Sequence, residues 1–267
     1  MDLSLYVDAW AESADRTLAL LDAVVDDAWE LPTGCPGWRV RDVVAHLAAL
    51  ESELAGTGRG GPAQGRVDGG EFTSAYTEAG VRERDDATPR EVVDELREAV
   101  EVRKKALASL PDDPSAAAGV TPGGIGWSNE TLLRNRMVDM FVHEQDLRGA
   151  VGAPGGYDGR AGALVVGSFL TALPYVLAKR LKAEPGTELD VELTGGVRRS
   201  VWVEVGDGGR GRLHDGTSPQ PTARVSMAAE TFLMLVSGRE ALHPLSVTWT
   251  GDSSLVGDLL AEIAVTP

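Results

Sequence analysis

The feature that most constrains this chain is a change of pattern near residue 185. Before it, apolar side chains recur every three or four positions, the period of a helix with one buried face. After Glu184, Pro185 and Gly186 they alternate with polar ones, the period of half-buried strands. A polypeptide written this way predicts two bodies of different architecture, a helical one over 1–184 and a small α+β one over 185–267.

The helical part is punctuated clearly. Leu5, Trp10, Leu18, Leu21 and Val25 predict a helix over about 3–29, and Val40, Val43, Val44, Leu47, Leu50 and Leu54 form a second stripe after the turn cluster TGCPGW at 33–38. The Gly-rich stretch 56–70 reads as a loop. Thr88, Pro89 and Glu91 mark a helix start running to about 110, with a capping hydroxyl, a proline in the first turn and a reciprocal carboxylate. After a loop at 111–127, further helices are expected over about 128–151 and 159–182, the latter kinked at Pro174. Beyond 185, LDVELTGG and RRSVWVEV read as a hairpin, RLHDG, ARVSM and LSVTWTGD as further strands, and 229–237 and 254–263 as helices on the sheet.

Composition narrows the function. A net charge of −16 argues against a nucleic-acid or anionic-membrane surface, because phosphate binding needs clustered Lys and Arg. The acidic start lacks a basic region followed by an apolar run, and the longest apolar segment, 161–178, is expected to fall short of a bilayer span and to be a buried helix. A single cysteine, Cys35, excludes an internal disulfide framework and fits a reducing, cytoplasmic setting. Any metal must then be held by histidine and carboxylate.

There are four histidines. His214 and His243 fall in turn or loop sequence and read as surface residues, whereas His46 and His143 sit inside helices. On the helix around His143, at about 100° per residue, Arg136, Asp139, His143 and Asp146 share a wedge of roughly 80°. A second polar sector, Arg134, Glu144 and Arg148, lies nearly opposite. A bundle helix needs one solvated face, so one polar sector should line something internal, with Asp139 and His143 able to point at one ion. Spacing alone equally allows a solvated ion-pair face, and it leaves His46 open between a ligand and a buried, hydrogen-bonded histidine.

At these residues the chain resembles a known family. CPGWRVRDVVAHLAALE at 35–51 looks like the amino-terminal signature of the mycothiol-dependent maleylpyruvate isomerase family, within the DinB-like metalloprotein superfamily. RMVDMFVHEQDL at 136–147 resembles its second signature, and SVTWTGDSSLVGDLLAEIAVTP resembles the carboxy-terminal domain of many members. The resemblance implies an up-and-down four-helix bundle followed by a small, sterol-carrier-like α+β domain. It also implies a divalent metal, usually zinc, held by His, Glu and His. Here His46 matches the first ligand, Asp139 stands where the family has glutamate, and His143 matches the last.

The implied chemistry is a mycothiol-using isomerase or S-transferase in which a thiolate adds to a small, acidic electrophile. Family members hold such a substrate with an arginine of the carboxy-terminal domain, for which Arg239 is the nominee; a helix-terminal arginine bound to carbonyls is the other reading. Cys35 as a nucleophile has no evident basic neighbour in sequence, and Trp38 reads as an anchor for the turn. Two other functions stay open at this point: a non-catalytic ligand-sensing protein on the same fold, and a metal-dependent hydrolase.

Overall fold

The computed structural model of the chain describes residues 2–58 and 74–266. Most of the expected glycine-rich loop therefore lies outside the described residues; at its start, Gly56 ends a helix in the left-handed conformation (φ 70°) that glycine adopts without strain. The chain forms two compact units, Met1–Pro154 and Gly155–Pro267.

The first unit contains α1 (Leu3–Leu21), α2 (Val40–Ala55), α3 (Ser74–Arg82), α4 (Pro89–Leu107) and α5 (Asn129–Ala150). Helices α1, α2, α4 and α5 make a bundle around Trp10, Leu47, Leu96, Leu133, Met140 and Phe141, all buried. Each such side chain contributes about 1.5–3 kcal/mol on leaving water. Helix α4 begins as expected: Thr88 Oγ1 accepts from Glu91 N at 3.3 Å, and Glu91 accepts from Thr88 N at 2.8 Å.

Helix directions depart from simple alternation. Tyr6 meets Glu130 and Arg16 meets Glu144, so α1 and α5 run the same way. Arg41, early in α2, donates to Asp85 O just before α4, while Glu51, late in α2, pairs with Arg103 late in α4, so these two are also parallel. Arg97 pairs with Asp22 and Lys104 with Asp15, which sets α4 against α1. The order is up-down-down-up, and the expected up-and-down order is corrected. Its physical origin is the long connection 56–88, which returns the chain to the starting end of α2 before α4 begins. Helix α3, within that connection, was not anticipated from sequence; it lies so close to α2 that a Cβ at Gly80 would approach Ala49 Cβ to 2.8 Å. The first helix is also shorter than expected. Val25, counted into its stripe, is 69% exposed, and Asp26–Glu30 is a separate 3₁₀ turn.

The second unit begins with α6 (Arg160–Leu170), interrupted at Thr171 and Ala172, then α7 (Leu173–Tyr175) running into a π turn, Val176–Arg180. Pro174 lies in the first turn after the break, as a residue without an N–H to donate should. The unit continues with β1 (Glu188–Thr194), β2 (Arg199–Val205), β3 (Gly211–Asp215), β4 (Ala223–Ala228), α8 (Ala229–Val236), β5 (Val247–Gly251) and α9 (Ser253–Glu262). Strand order is β3-β2-β1-β4-β5, antiparallel except for β1 with β4. Alternation buries Leu189, Val191, Val201, Val203, Val225 and Met227 on one face, beneath α8 and α9.

The helix-to-strand change falls at Glu188, near the expected position, but the compact unit holding the sheet begins some thirty residues earlier, at Gly155. The helical segment from Arg160 is the reason: its apolar faces meet β2, β3, α8 and α9. Among the described residues the stretch Arg160–Arg180, taken across the break at 171–172, is long and apolar enough to cross a membrane: 21 residues, with mean hydropathy 1.8 over its most apolar 18. That corrects the expectation that no segment reaches this length. More than half of it is buried against its own unit, as in a core helix.

Candidate metal centre

The centre is built where α2 and α5 run antiparallel, near the end of the bundle capped by the turn at 33–38. His46, from α2, and Asp139 and His143, one turn apart on α5, each bring a ligand atom to within 4.8 Å of the others. His46 Nε2 lies 3.5 Å from Asp139 Oδ1 and 3.4 Å from Oδ2, and His143 Nε2 lies 3.7 Å from Oδ1. Two donors on a tetrahedral Zn²⁺ at bond lengths of about 2.0–2.2 Å stand roughly 3.3–3.6 Å apart, so the His46–Asp139 spacing falls within that range and the His143–Asp139 spacing just beyond it. Both imidazoles are buried, whereas the Asp139 side chain is 23% exposed, so solvent reaches the cluster on the carboxylate side.

The surroundings orient these groups. His143 Nδ1 lies 2.9 Å from Asp146 Oδ2, a buried pair that fixes the ring and leaves Nε2 facing Asp139. Trp38 covers both rings, its centroid 4.9 Å from that of His46 and 5.8 Å from that of His143. The tryptophan is held in turn by the turn itself, where Thr33 Oγ1 donates to Trp38 O at 2.9 Å, and by Glu78 of α3, which accepts from Nε1 at 2.8 Å. Cys35 of the same turn has its sulfur within 4.8 Å of a His143 ring nitrogen and an Asp146 oxygen. It therefore has the imidazole neighbour that its sequence context did not show.

Electrostatics keep the donors in ligand-competent forms. Burial holds His46 below the ordinary histidine value against the pull of Asp139, which favours the neutral ring. Burial opposes ionisation of Asp139, yet the Arg136 guanidinium and the two imidazoles outweigh it and hold the carboxyl well below the usual range. His46 Nδ1 is buried with no hydrogen-bond partner among the described residues, while Asp139 Oδ2 is held by the Arg136 guanidinium at 3.0 Å. A cluster serving only to satisfy itself would not leave a buried ring nitrogen without a partner.

Just over half of the chain, residues 10–148, matches the model of the mycothiol maleylpyruvate isomerase N-terminal domain. The chain belongs to that family. It is a family of enzymes, and its match spans all three clustered residues and the turn that covers them. The fold is also that of the crystal structure of the mycothiol-dependent maleylpyruvate isomerase, with a TM-score of 0.58 at 14% identity over 93% of each chain. A histidine-to-alanine mutant of that enzyme gives 0.57 at 14% identity over 90% of each chain. No curated protein matches the chain.

Within this isomerase-family chain the other singled-out residues fall elsewhere. The wedge on α5 is internal at Arg136, His143 and Asp146, all buried, and opens to solvent only at Asp139. On the opposite sector Arg134 is exposed and Arg148 half-buried, but Glu144 is fully buried, accepting from Arg16 and from Arg148, both at 2.8 Å. His214 stacks on Trp202 at 4.2 Å in the sheet, and His243 is exposed. Arg239 follows α8, where its Nη1 donates to Ser237 O at 2.7 Å. That contact is the helix-terminal geometry. Sequence reasoning missed Glu51 and Arg103, which with Trp10 form a buried network around Arg136. An acid and an arginine inside apolar stripes were the only signal for it.

Proposed function

We propose that this chain is a metal-dependent enzyme that uses mycothiol to isomerise, or to conjugate, a small acidic electrophile. The observation that carries the proposal is the convergence of His46, Asp139 and His143 within 4.8 Å, inside the stretch matched by the family model. The two imidazoles and the carboxylate would hold the ion, with Zn²⁺ the best fit to two nitrogens and one oxygen. A bound divalent cation supplies Lewis acidity, lowering a thiol from its free value of about 8–9 so that it is anionic near neutral pH.

The chain's own residues do the rest. Asp146 holds the His143 ring in one orientation, and Trp38 shields both imidazoles from water on one side. Addition of a thiolate to an activated alkene, rotation about the resulting single bond and expulsion of the sulfur give isomerisation. If the sulfur is retained, the product is a thioether and the enzyme a transferase. Arg239 is the proposed contact for the substrate carboxylate. Thiol chemistry of this kind, with one cysteine in the chain, suits a reducing cytoplasm.

The deciding experiment is elemental analysis of the purified protein, followed by turnover of maleylpyruvate with and without mycothiol. Turnover that needs the thiol, disappears on chelation and returns with Zn²⁺ is the expected result. Protein that stays metal-free after zinc reconstitution and dialysis would overturn it.

A further inference from the structure

The side of Asp139 facing away from His143 meets a buried arginine to which the proposed chemistry gives no task. Arg136 is 1% exposed. Its Nε and Nη2 donate to Glu51 Oε1 at 3.1 and 2.8 Å. Glu51 is anchored on its own account, by Trp10 Nε1 at 3.2 Å on the same oxygen and by Arg103 on the other. From that anchor Arg136 Nη2 reaches Asp139 Oδ2 at 3.0 Å as an ion pair.

The two oxygens of Asp139 are thereby made unequal. Oδ1 faces His143 Nε2 at 3.7 Å, and Oδ2 faces the guanidinium. His46 Nε2 stands almost equally far from both, at 3.5 and 3.4 Å, so the arginine and not this histidine decides between them. A carboxylate free on both sides can bind a cation through two oxygens and fill an extra coordination position. A guanidinium on one oxygen withdraws that oxygen from the cation by direct charge competition. Charge balance points the same way. Glu51 and Asp139 offset Arg103 and Arg136, and Asp146 offsets one charge of a divalent cation at the histidines, so one positive charge is left for an anionic thiol or an acidic substrate.

We propose that Arg136 is a positioning residue that limits Asp139 to one donor oxygen, Oδ1, and so keeps a coordination position open. The inference rests on the metal reading above and extends it to a residue outside the ligand set. It also accounts for a short aspartate where the family has glutamate: with its outer oxygen committed to Arg136, the carboxylate is held in place without the longer arm.

The test uses full-length protein loaded with Co²⁺, whose visible absorption is strong when four-coordinate and weak when five- or six-coordinate. The parent protein should absorb strongly. Arg136→Met should bind Co²⁺ at least as tightly, since a repelling charge is gone, but with absorption several-fold weaker as Asp139 engages both oxygens. In an Asp139→Ala background the same substitution should change nothing further. Where Arg136→Met does not fold by circular dichroism, Arg136→Lys is read in its place, because lysine lacks the Nε donation to Glu51 that fixes Nη2 between the two carboxylates, and it too should weaken the absorption. A folded Arg136 variant with the parent spectrum overturns the proposal while leaving the metal site intact. A parent protein that takes up no Co²⁺ overturns the metal reading and this inference together.

Discussion

His143 and Asp146, one helical turn apart on α5, meet at 2.9 Å through Nδ1 and a carboxylate oxygen, both side chains buried. An ionised carboxylate accepts and cannot donate, so Nδ1 carries the proton and Nε2 offers its lone pair toward Asp139 and His46. Outer partners of this kind typically set metal affinity by about 10–100-fold. Asp146→Ala should therefore weaken Zn²⁺ binding by that factor in competition with a chromophoric chelator. Unchanged affinity would leave Asp146 as a packing residue only.

One divalent ion per chain is the expected stoichiometry. His46→Ala and His143→Ala should each abolish tight binding by elemental analysis after dialysis. His214→Ala should not, because that ring is engaged with Trp202 in the sheet of the other unit. Metal retained by both helix variants would place the ion elsewhere.

Asp139→Ala should weaken binding severely, while Asp139→Glu should keep it or strengthen it by restoring the family's ligand. Chelator titration of the three proteins decides the matter. Equal affinity for the parent and the alanine variant removes Asp139 from the site.

Glu51 is a stability prediction. Breaking one partner out of a buried ionic cluster costs about 3–5 kcal/mol, because charges are left uncompensated. Glu51→Gln should show a loss of that size in urea unfolding. Burial raises the Glu51 carboxyl, but Arg103 and Arg136 outweigh it and hold it below its ordinary 4.5. The unfolded chain then binds the proton first as pH falls. The stability from this group is complete above about pH 4.5 and disappears as pH falls through the lower folded value. The gap between parent and variant should accordingly narrow below pH 4.5; a gap independent of pH would mean that Glu51 acts through shape alone.

Arg239→Ala should raise KM or lower kcat/KM for an acidic substrate by about tenfold to a hundredfold, the value of a lost charged hydrogen bond of roughly 1.5–3 kcal/mol. Metal content should not change. A variant that loses stability but keeps its kinetics would assign Arg239 wholly to the Ser237 carbonyl.

Local chemistry was legible in the sequence and long-range chemistry was not. The Thr88–Glu91 cap, the hairpin of β1 and β2 and the shared face of Asp139 and His143 each depend on spacings of a few residues, which patterns report directly. The burial of Glu144 depends on Arg16, 128 positions away, and that of Glu51 on Arg136, 85 away. No period connects such pairs, so a buried acid and a solvated one look alike until the helices are placed. The same holds for 33–38: its turn chemistry was plain, but that it lays Trp38 across both histidines follows only from where α2 and α5 cross. The direction of α4 was hidden in a connection whose length permits either course.

The pairing of α2 with α5 also says when in folding the site can exist. His46 and Asp139 are separated by 93 positions, with α3 and α4 between them. Closing so long a loop is, with the docking of α1 on α5, among the costlier steps of folding the bundle. The three donor atoms therefore meet only when docking of α2 against α5 is nearly complete. An ion held by them would stabilise contacts that come after the folding barrier, slowing the unfolding rate while leaving the folding rate almost untouched. Metal would act here as a latch on the finished bundle, and its loss would shorten the lifetime of the native state without slowing its formation.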